Sequence, residues 1–317
     1  MSNLFAGIRW VWMNGELIEF EKATVHVLSH GLHYGSGVFE GVRCYDTPDG
    51  PAVFRLPEHI RRLENSCKIY RMPLRFSSEE LAEAVCETVR ANDLGACYIR
   101  PIAYRGFGTL GVNPLRSPVD VAIGAWNWGK YLGEQGEQEG IDVCVSSWRR
   151  TAPDALPAVA KATGSYLNSQ LIKVEALSNG FAEGIALDDS GYVSEGSGEN
   201  LFLVHNGTLV TPPTTSSLLP GITRDTIITL AHDLGLPVRQ EPVSRGQLYI
   251  CDELFLTGTA AEITPVRSVD KINIGAGRPG EITRRLLAEF RNVTGGRVPG
   301  RLGWLAPIAR KPVEQAV

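Results

Sequence analysis

Two Asn-Gly pairs, each set between strand-like runs, constrain the fold of this chain more than any other feature. Asn14-Gly15 divides "IRWVWMNGELIEF", and Asn206-Gly207 divides "LFLVHNGTLV". Such pairs adopt the backbone angles of two-residue turns between antiparallel strands. A third hairpin is predicted where the turn "DTPDG" separates "GVFEGVRCY" from "AVFRL". Because these hairpins are grouped with helices, we expect α+β architecture and not a regular βαβ repeat.

Helix signals lie between the strands, and a loop rich in Gly and Glu divides the chain into two predicted domains. Pro57 begins the helical run "PEHIRRLENSCKIY", and Ser77 with Glu80 forms a capping box at the start of the next helix. The predicted division is into a smaller α+β domain, an interdomain loop rich in Gly and Glu, and a larger C-terminal domain: residues 1–130, 131–140 and 141–317.

The larger domain carries two further helix-related predictions. One helix is expected to end at Gly180 and to carry four apolar residues on one face: Leu167, Leu171, Val174 and Leu177. The C-terminal segment is rich in Gly, Pro and Arg, so residues after Ile308 are expected to form a disordered tail.

Charge and composition exclude several classes of partner. The chain has 317 residues, a net charge of −4 and 43% hydrophobic residues, the balance of a globular protein with a sizeable core. A slightly acidic chain is poorly suited to nucleic acid or an anionic membrane, and no apolar run approaches the length of a membrane span. The N-terminus lacks a signal-peptide pattern, so the six cysteines are expected to be reduced and the protein to be cytoplasmic.

Lys161 is the one charged residue in the small, apolar run "LPAVAKATG". Only seven of the 31 basic residues are lysines, so a lysine in such surroundings needs an explanation. One interpretation is a surface lysine whose stem lies along apolar groups. The other is a nucleophilic amine whose small neighbours leave room for a bulky partner.

A glycine pattern suggests nucleotide chemistry that its context argues against. Gly106, Gly108 and Gly111 match the dinucleotide-binding G-x-G-x-x-G. Pro114 blocks the helix that must follow, and no acidic residue stands at the ribose spacing. The nicotinamide interpretation is therefore rejected, and a glycine-rich loop beside a site is expected instead.

A cluster of three histidines is a candidate for metal binding. His26, His30 and His33 lie close together, but Gly31 and Gly35 interrupt helical spacing. These residues are therefore expected to be structural histidines, and no metal site is predicted.

Two small-residue turns and an arginine are suited to a phosphate group. The helix that starts at "GITRDT" presents free backbone N–H groups and the positive end of its dipole, to which Thr223 adds a hydroxyl. Arg62, on the predicted helix from Pro57, would add a full positive charge in a fork geometry. The candidate ligands in the two turns are Gly221, Ile222, Thr223, Thr257, Gly258 and Thr259.

Besides the lysine and the phosphate-binding turns, the sequence offers a candidate carboxylate. Glu195 and Glu199 both precede a predicted strand in "SEGSGENLF", and spacing alone does not choose between them. A lysine, a phosphate site and a carboxylate are the three groups that pyridoxal phosphate requires, for its aldehyde, its phosphate and its ring nitrogen. The lysine would form a Schiff base and move a proton between Cα and the cofactor's C4′.

The sequence resembles the branched-chain amino-acid aminotransferases, which are class IV pyridoxal-phosphate enzymes of fold type IV. The resemblance extends from "WMNGELI" to "GWLAPI" and is carried by ordered blocks: "HVLSHGLHYGSGVFEGVRCY", "SSWRRTAPDALPAVAKATGSYLNS", "EGIALDDSGYVSEGSGENLFLV", "TPPTTSSLLPGITRDTI" and "LTGTAAEITPVRSVD". It implies a two-domain fold of α+β or α/β type, similar to that of D-amino-acid aminotransferase. The cofactor is expected at the domain interface, bound chiefly by the larger domain.

The resemblance implies the groups that act on the cofactor's ring and aldehyde. Lys161 is the implied Schiff-base lysine and proton shuttle. Glu195, rather than Glu199, is implied to face the pyridine nitrogen. Tyr166, five residues after the lysine, is implied to bind the phenolic oxygen.

The implied phosphate ligands include one arginine of an adjacent pair. In "HIRRL" the arginine directly before the leucine matches the family's position, so Arg62 is chosen over Arg61. Leu219 is implied to pack on the ring. The remaining implied cofactor ligands are Gly221, Ile222, Thr223 and Thr259.

The implied substrate site is mainly aromatic. A pocket for a branched side chain would be formed by Tyr34, Phe39, Trp128 and Tyr131, and Gly41 is a further implied substrate-binding residue. Tyr98 and Arg100 would lie near the substrate carboxylate, where Ala260 and Ala261 also offer backbone N–H groups, and Thr259 is a further implied substrate-binding residue. Arg100 would bind the distal carboxylate when the substrate is glutamate or 2-oxoglutarate.

The expected function is transfer of the amino group of L-leucine, L-isoleucine or L-valine to 2-oxoglutarate, giving the branched 2-oxo acid and L-glutamate. Small amino acids and 2-oxo acids are the expected partners, and the assembly is expected to be a homodimer at least, with a hexamer as the alternative. Fold type IV also includes D-amino-acid and amine transaminases and aminodeoxychorismate lyase, against which "FEGVR" and "YIRP" argue. The Lys161, Tyr166 and Glu195 set argues against a non-enzymatic binding protein.

Overall fold

The structure is a computed structural model and describes residues 4–129 and 133–309. It divides into two compact units. The first comprises the residues up to Trp128 and those from Asn292 onward, and the second comprises Gly129–Arg291. The C-terminal segment of the predicted 141–317 domain thus belongs to the first unit, because its strand pairs with the sheet of that unit.

Two sequence-based expectations fall wholly or partly outside the described residues. Tyr131 and the predicted tail from residue 310 onward both lie outside them. Within the predicted interdomain loop 131–140, Glu134–Glu139 forms a short helix.

In its described part, the first unit contains one antiparallel sheet of eight strands. In chain order these are β1 (Trp10–Met13), β2 (Glu16–Glu19), β3 (Gly37–Phe39), β4 (Val42–Thr47), β5 (Gly50–Phe54), β6 (Cys97–Arg105), β7 (Val119–Trp126) and the C-terminal strand β17 (Leu305–Pro307). The order across the sheet is β17-β5-β4-β6-β7-β1-β2, and β3 pairs with β6.

All three predicted hairpins are confirmed. Asn14 and Asn206 have φ angles of 54° and 49°, in the left-handed region that a two-residue hairpin turn requires. The strand pairs that close the three turns are Met13–Glu16, His205–Thr208 and Thr47–Gly50. Since two residues separate the members of each pair, each connection has the shortest common hairpin length.

The helices of the first unit pack against its sheet and against each other. They are α1 (His30–Tyr34), α2 (Leu56–Ile69) and α3 (Ser78–Ala91), and a 3₁₀ helix covers Phe20–Lys22. The predicted capping box of α3 is present, since Ser77 accepts from the backbone of Glu80 and Glu80 accepts from the backbone of Ser77. Helix α2 buries Ile60 and Leu63, which fixes the position of Arg62 between them.

The described part of the second unit contains one mixed sheet of nine strands. They are β8 (Ile141–Val145), β9 (Glu183–Leu187), β10 (Val193–Gly196), β11 (Asn200–His205), β12 (Thr208–Thr211), β13 (Val238–Gln240), β14 (Glu253–Gly258), β15 (Glu262–Val269) and β16 (Ile272–Asn273). The order is β10-β9-β8-β15-β14-β11-β12-β13, and β16 pairs with β15. Strand β8 runs parallel to β9 and β15, and β12 runs parallel to β13.

The helices of the second unit are α4 (Glu134–Glu139), α5 (Tyr166–Ser178), α6 (Ile222–Asp233) and α7 (Arg245–Ile250), and α8 (Glu281–Thr294) leads into the C-terminal segment, where a 3₁₀ helix covers Pro299–Trp304. Among the described helices, none combines the length and the apolar character needed to span a membrane. The central strands β11 and β14 are buried on both faces, and the rings of Phe202 and Phe255 stack with centroids 5.2 Å apart.

Helix α5 places its apolar stripe on the surface of this chain. It packs through Ser169, Ile172 and Ala176, and the backbone of β9 approaches closely at Gly184, where a Cβ would lie 2.7 Å from Ile172 Cγ2. The four residues predicted to share one face are exposed: Leu167 to 64%, Leu171 to 43%, Val174 to 61% and Leu177 to 57%. A contiguous exposed apolar face of this kind is typical of an interaction surface.

Candidate active site

Lys161 lies in the second unit, in the segment between β8 and α5. Its neighbours Ala160 and Ala162 are buried, and the lysine itself is half-buried. Its Nζ donates a hydrogen bond to the Tyr166 hydroxyl at 2.7 Å, at the first residue of α5. The lysine is therefore held by a specific contact, unlike a surface lysine whose head is solvated.

Glu195, at the end of β10, receives polar contacts from several directions. Its Oε2 accepts hydrogen bonds from the backbone N–H of Leu219 at 3.1 Å and from Asn200 Nδ2 at 3.3 Å. Arg150 Nε lies 3.1 Å from its Oε1 in an ion pair. Asn200 also donates to the Leu219 carbonyl at 2.9 Å, so these contacts fix the segment that leads to α6 relative to the carboxylate.

Arg150 is a site residue that the sequence analysis missed. Its Nη1 donates to Asn168 and Ser169 on α5, both at 3.0 Å. Its Nη2 donates to the carbonyls of Gly196 and Ser197 at 2.7 and 3.0 Å. The available signal was the pair Arg149-Arg150 inside the block "SSWRRTAPDALPAVAK", but sequence alone does not tell which of the two points inward.

Glu199 lies in a different environment from Glu195. Its side chain is buried, and its Oε2 accepts the N–H of Gly198 at 3.0 Å. Burial, together with the negative charge of Glu183, raises the pKa of Glu199 to about 8. A carboxyl group with this pKa is mainly protonated at neutral pH and is a poor anion.

The start of α6 has the features of an anion-binding site. Its N-cap is Gly221, and no side chain caps the helix within the described structure. The first backbone N–H groups of a helix have no intrahelical acceptor, so those of Ile222 and Thr223 can bind an anion. A Cβ at Gly221 would lie 2.0 Å from Asn200 Oδ1, so only glycine fits beside the group that holds Glu195.

The second predicted phosphate turn connects β14 to β15. Thr257 donates its hydroxyl to the Glu262 carbonyl at 2.7 Å and so holds the turn together. Thr264 does the same for the Ala261 carbonyl at 2.9 Å. Thr259 and Ala260, at the tip, are half-buried, so of the two threonines in "TGT" only Thr259 lies at the tip.

Arg62, in the first unit, is held by a buried carboxylate. Its Nε and Nη2 donate to the two oxygens of Glu40 at 2.7 and 2.8 Å, and His59 Nδ1 lies 2.7 Å from Glu40 Oε2. Burial alone would raise the pKa of Glu40, but the charge and hydrogen bonds of Arg62, with His59, hold it well below its usual range. The adjacent Arg61 is exposed.

The implied substrate residues of the first unit come together around Arg100. Its guanidinium lies over the Phe39 ring, 4.7 Å from the centroid, and its Nη2 donates to the Tyr98 hydroxyl at 3.0 Å. The rings of Tyr98 and Trp128 meet edge to face at 4.6 Å. Gly41 is required here, because a Cβ would lie 2.0 Å from the Tyr98 hydroxyl oxygen.

Tyr34 contacts the glycine-rich loop, since its hydroxyl accepts the N–H of Gly111 at 3.1 Å. His30 also holds this loop: its ring nitrogens lie 2.7 Å from Ser36 Oγ and 2.9 Å from the Gly111 carbonyl. Among the described residues there is no cluster of three or more His, Cys, Asp or Glu side chains arranged to hold a metal ion. Within that same part of the chain, no helix follows Gly111 directly.

The chain belongs to the class IV amino-transferase family, whose model matches residues 37–269. It is 53% identical over 300 residues to a branched-chain-amino-acid aminotransferase of Salmonella typhimurium, which covers 94% of this chain and 97% of the relative. The fold matches the crystal structure of the Escherichia coli branched-chain amino acid aminotransferase with a TM-score of 0.94, 52% identity, and coverage of 95% of this chain and 100% of that one. The branched-chain amino acid aminotransferase of Thermobaculum terrenum, in its PLP-bound holo-form, matches with a TM-score of 0.89 and 38% identity, over 95% of this chain and 98% of that one.

The pKa of Glu199 makes a prediction for stability. Between the ordinary glutamate pKa of 4.5 and about 8, the folded state holds a proton that the unfolded state has released, so this group lowers stability as pH rises. Glu199→Gln removes that dependence. Its free energy of unfolding relative to wild type should rise by roughly 1 kcal/mol or more between about pH 5 and about pH 8.

Urea unfolding at the two pH values measures this difference. Glu16→Gln, at an exposed position on β2, is the matched control. A Glu199→Gln effect that is the same at both pH values would contradict the raised pKa.

Proposed function

We propose that this chain is a pyridoxal 5′-phosphate-dependent transaminase that moves the amino group of L-leucine, L-isoleucine or L-valine to 2-oxoglutarate. The products are the branched 2-oxo acid and L-glutamate. The observation that carries the proposal is the 2.7 Å contact between Lys161 and Tyr166 in the unit that also holds Glu195 and the uncapped start of α6. The names of the curated relatives and the PLP-bound form of the structural relative support the same reaction and cofactor.

The second unit's residues fit pyridoxal phosphate. The start of α6 offers backbone N–H groups without a side-chain cap, and the carboxylate of Glu195 lies beside a cation. The Ser217 hydroxyl, two residues before Leu219, is buried and has no hydrogen-bond partner among the described atoms. When bound, the cofactor supplies an aldehyde carbon that takes up the amino group and a ring that withdraws electrons.

Lys161 is proposed to bind the aldehyde carbon through Nζ and then, once substrate has replaced it, to move the proton between Cα and the cofactor's C4′. Tyr166 is proposed to orient the amine and to hydrogen-bond the phenolic oxygen. Because Tyr166 is the first residue of α5, the packing of that helix sets the position of its hydroxyl.

Phosphate binding is proposed for Arg62, the backbone and hydroxyl of Thr223, and Thr259, together with the N–H groups of Gly221 and Ile222. Arg62 is oriented by its two hydrogen bonds to Glu40. Leu219 is proposed to pack on the ring, which agrees with the contact between its backbone and Glu195.

The substrate side chain is proposed to lie against Phe39 and Trp128. Tyr98 is proposed to lie near the substrate carboxylate, with Gly41 leaving room for its hydroxyl. Tyr34 and Tyr131 are proposed to line the same pocket, and Ala260 and Ala261 to offer backbone N–H groups to the substrate carboxylate. Arg100 is proposed to bind the distal carboxylate of glutamate. In support, Arg100 Nε is buried and has no hydrogen-bond partner among the described atoms, while the flat guanidinium stacks on Phe39 and presents an apolar face.

A homodimer at least, with a hexamer as the larger alternative, is proposed as the working assembly. The exposed apolar face of α5, which begins at the site residue Tyr166, supports it.

Changing Lys161 tests the proposed reaction. Lys161→Ala should lower the rate of the half-reaction with L-leucine by roughly 10⁴-fold or more, because the variant loses the amine that moves the proton. The measurement is single-turnover absorbance with added cofactor, with circular dichroism to show that the fold survives. Lys22→Ala, at an exposed site, is the control. Wild-type rates in Lys161→Ala would overturn the proposal.

Arg100 makes a prediction about substrate choice. Arg100→Met keeps an unbranched side chain and removes the charge. The rate of the half-reaction with L-glutamate should therefore fall by about tenfold or more, while the rate with L-leucine changes little. Arg43→Met, on the adjacent strand β4, is the matched control. Equal losses with both amino acids would contradict the assignment of Arg100 to the distal carboxylate.

The α5 face makes a prediction about assembly. The double variant Leu171→Glu with Val174→Glu should shift the protein to monomers in sedimentation equilibrium, because charges are costly in an apolar interface. Ser178→Glu, at the exposed end of the same helix, should leave the assembly unchanged. A double variant with the wild-type mass would place the interface elsewhere.

A further inference from the structure

Arg150 donates the hydrogen bonds of its two Nη atoms to neutral groups and not to a carboxylate. All four hydrogen bonds from Nη1 and Nη2 go to neutral oxygens: Asn168 Oδ1, Ser169 Oγ and the carbonyls of Gly196 and Ser197. Its Nε lies 3.1 Å from Glu195 Oε1 but is not aligned for a hydrogen bond. The neutral contacts fix the guanidinium plane, and its charge acts on the Glu195 carboxylate.

Two other charged groups in this part of the second unit, Glu199 and Lys173, do not replace this cation. Glu199, which interacts electrostatically with Glu195, is acidic. Lys173 lies 2.8 Å from Glu183 Oε2 and is paired with that buried carboxylate. The hydrogen bonds that Glu195 accepts from Asn200 Nδ2 and from the Leu219 N–H come from neutral donors. Arg150 is therefore the cation that directly stabilises the ionised form of Glu195 among these contacts.

This arrangement bears on where a shared proton resides. A buried carboxylate facing a ring nitrogen can hold the proton itself, giving a neutral acid and a neutral ring, because a medium of low polarity disfavours separated charges. A fixed positive charge behind the carboxylate favours its ionised form and leaves the proton on the ring. Only a protonated ring withdraws electrons strongly.

We propose that Arg150 is a positioning residue that keeps the proton on the cofactor's ring nitrogen by stabilising the carboxylate form of Glu195. The inference rests on the proposed function, since it requires pyridoxal phosphate opposite Glu195. It adds a residue that is not itself a ligand of the reacting atoms. Its four neutral hydrogen bonds serve to hold the charge at a fixed distance from the carboxylate.

The test is the ¹⁵N NMR shift of the cofactor, labelled at the ring nitrogen and bound to the full-length protein. Wild type and Arg149→Gln should both show a protonated ring, since Arg149 is exposed and its side chain donates only to the Asp189 carbonyl among the described contacts. Arg150→Gln should shift the signal toward the neutral ring and lower the single-turnover rate with L-leucine by about 10- to 100-fold. Arg150→Lys, which restores charge but not the four hydrogen bonds, should recover part of the shift.

A second variant keeps the inference testable if Arg150→Gln does not fold. Asn168→Asp places a carboxylate where Asn168 Oδ1 now lies 3.0 Å from Arg150 Nη1. The new negative charge partly offsets the positive charge that Arg150 presents to Glu195, without deleting the arginine. It should move the ¹⁵N signal in the same direction as Arg150→Gln, whereas Asn168→Ala should not.

The outcomes separate this inference from the proposed function. A ring that stays protonated in Arg150→Gln or, where that variant does not fold, in Asn168→Asp overturns the role of Arg150. Equal shifts in Arg150→Lys and Arg150→Gln also overturn it, because they would indicate a purely structural contact. A wild-type protein that binds no labelled cofactor rejects the proposed function itself, and the inference with it.

Discussion

The ion pair between Arg150 and Glu195 connects most of the second unit's candidate site. Through Arg150 it links the segment after β8 to α5 and to the end of β10. Through Glu195 it reaches Asn200 on β11 and the segment that leads into α6. Lys161 is connected to the same group of residues through α5, because its Nζ donates to the hydroxyl of Tyr166 at the start of that helix. Removing either member of a buried pair leaves an uncompensated charge, which typically costs about 3–5 kcal/mol.

A second buried ion pair has the same character in the first unit. Glu40 is fully buried and satisfied by Arg62 and His59, so the arginine is oriented before any anion binds. Both arginines thus pair with a glutamate whose other contacts are fixed by strands and helices. Preorganised charges of this kind require little rearrangement when a charged ligand arrives. Arg100 is also held in place before a ligand binds, but by the face of the Phe39 ring and not by a carboxylate.

Local features of the sequence predicted local structure well. The Asn-Gly hairpins and the capping box at Ser77 depend on a few adjacent residues, so their physics is visible in the chain itself. The choice of Arg62 over Arg61 came from a family resemblance, and helix packing gives a reason for it, since Arg61 faces outward. The fold class and the family were likewise predictable from the ordered motifs.

Long-range features were not predictable from local patterns. The pairing of β17 with β5, which brings residues 305–307 back to the first unit, depends on contacts about 250 residues apart in sequence. Arg149 and Arg150 are adjacent and chemically equal, and only the approach of α5 and β10 distinguishes them. The apolar stripe of α5 had the spacing of a core face, but the small residues Ser169 and Ala176 allow the opposite face to pack instead.

The visible absorption spectrum of the purified protein, before and after L-isoleucine is added alone, tests the central claim most directly. The account predicts a yellow protein whose colour bleaches with L-isoleucine and returns with 2-oxoglutarate, while D-isoleucine has no effect. A yellow protein that L-isoleucine does not change would keep the cofactor but contradict the proposed substrate. A protein that stays colourless with added pyridoxal phosphate would contradict the account as a whole.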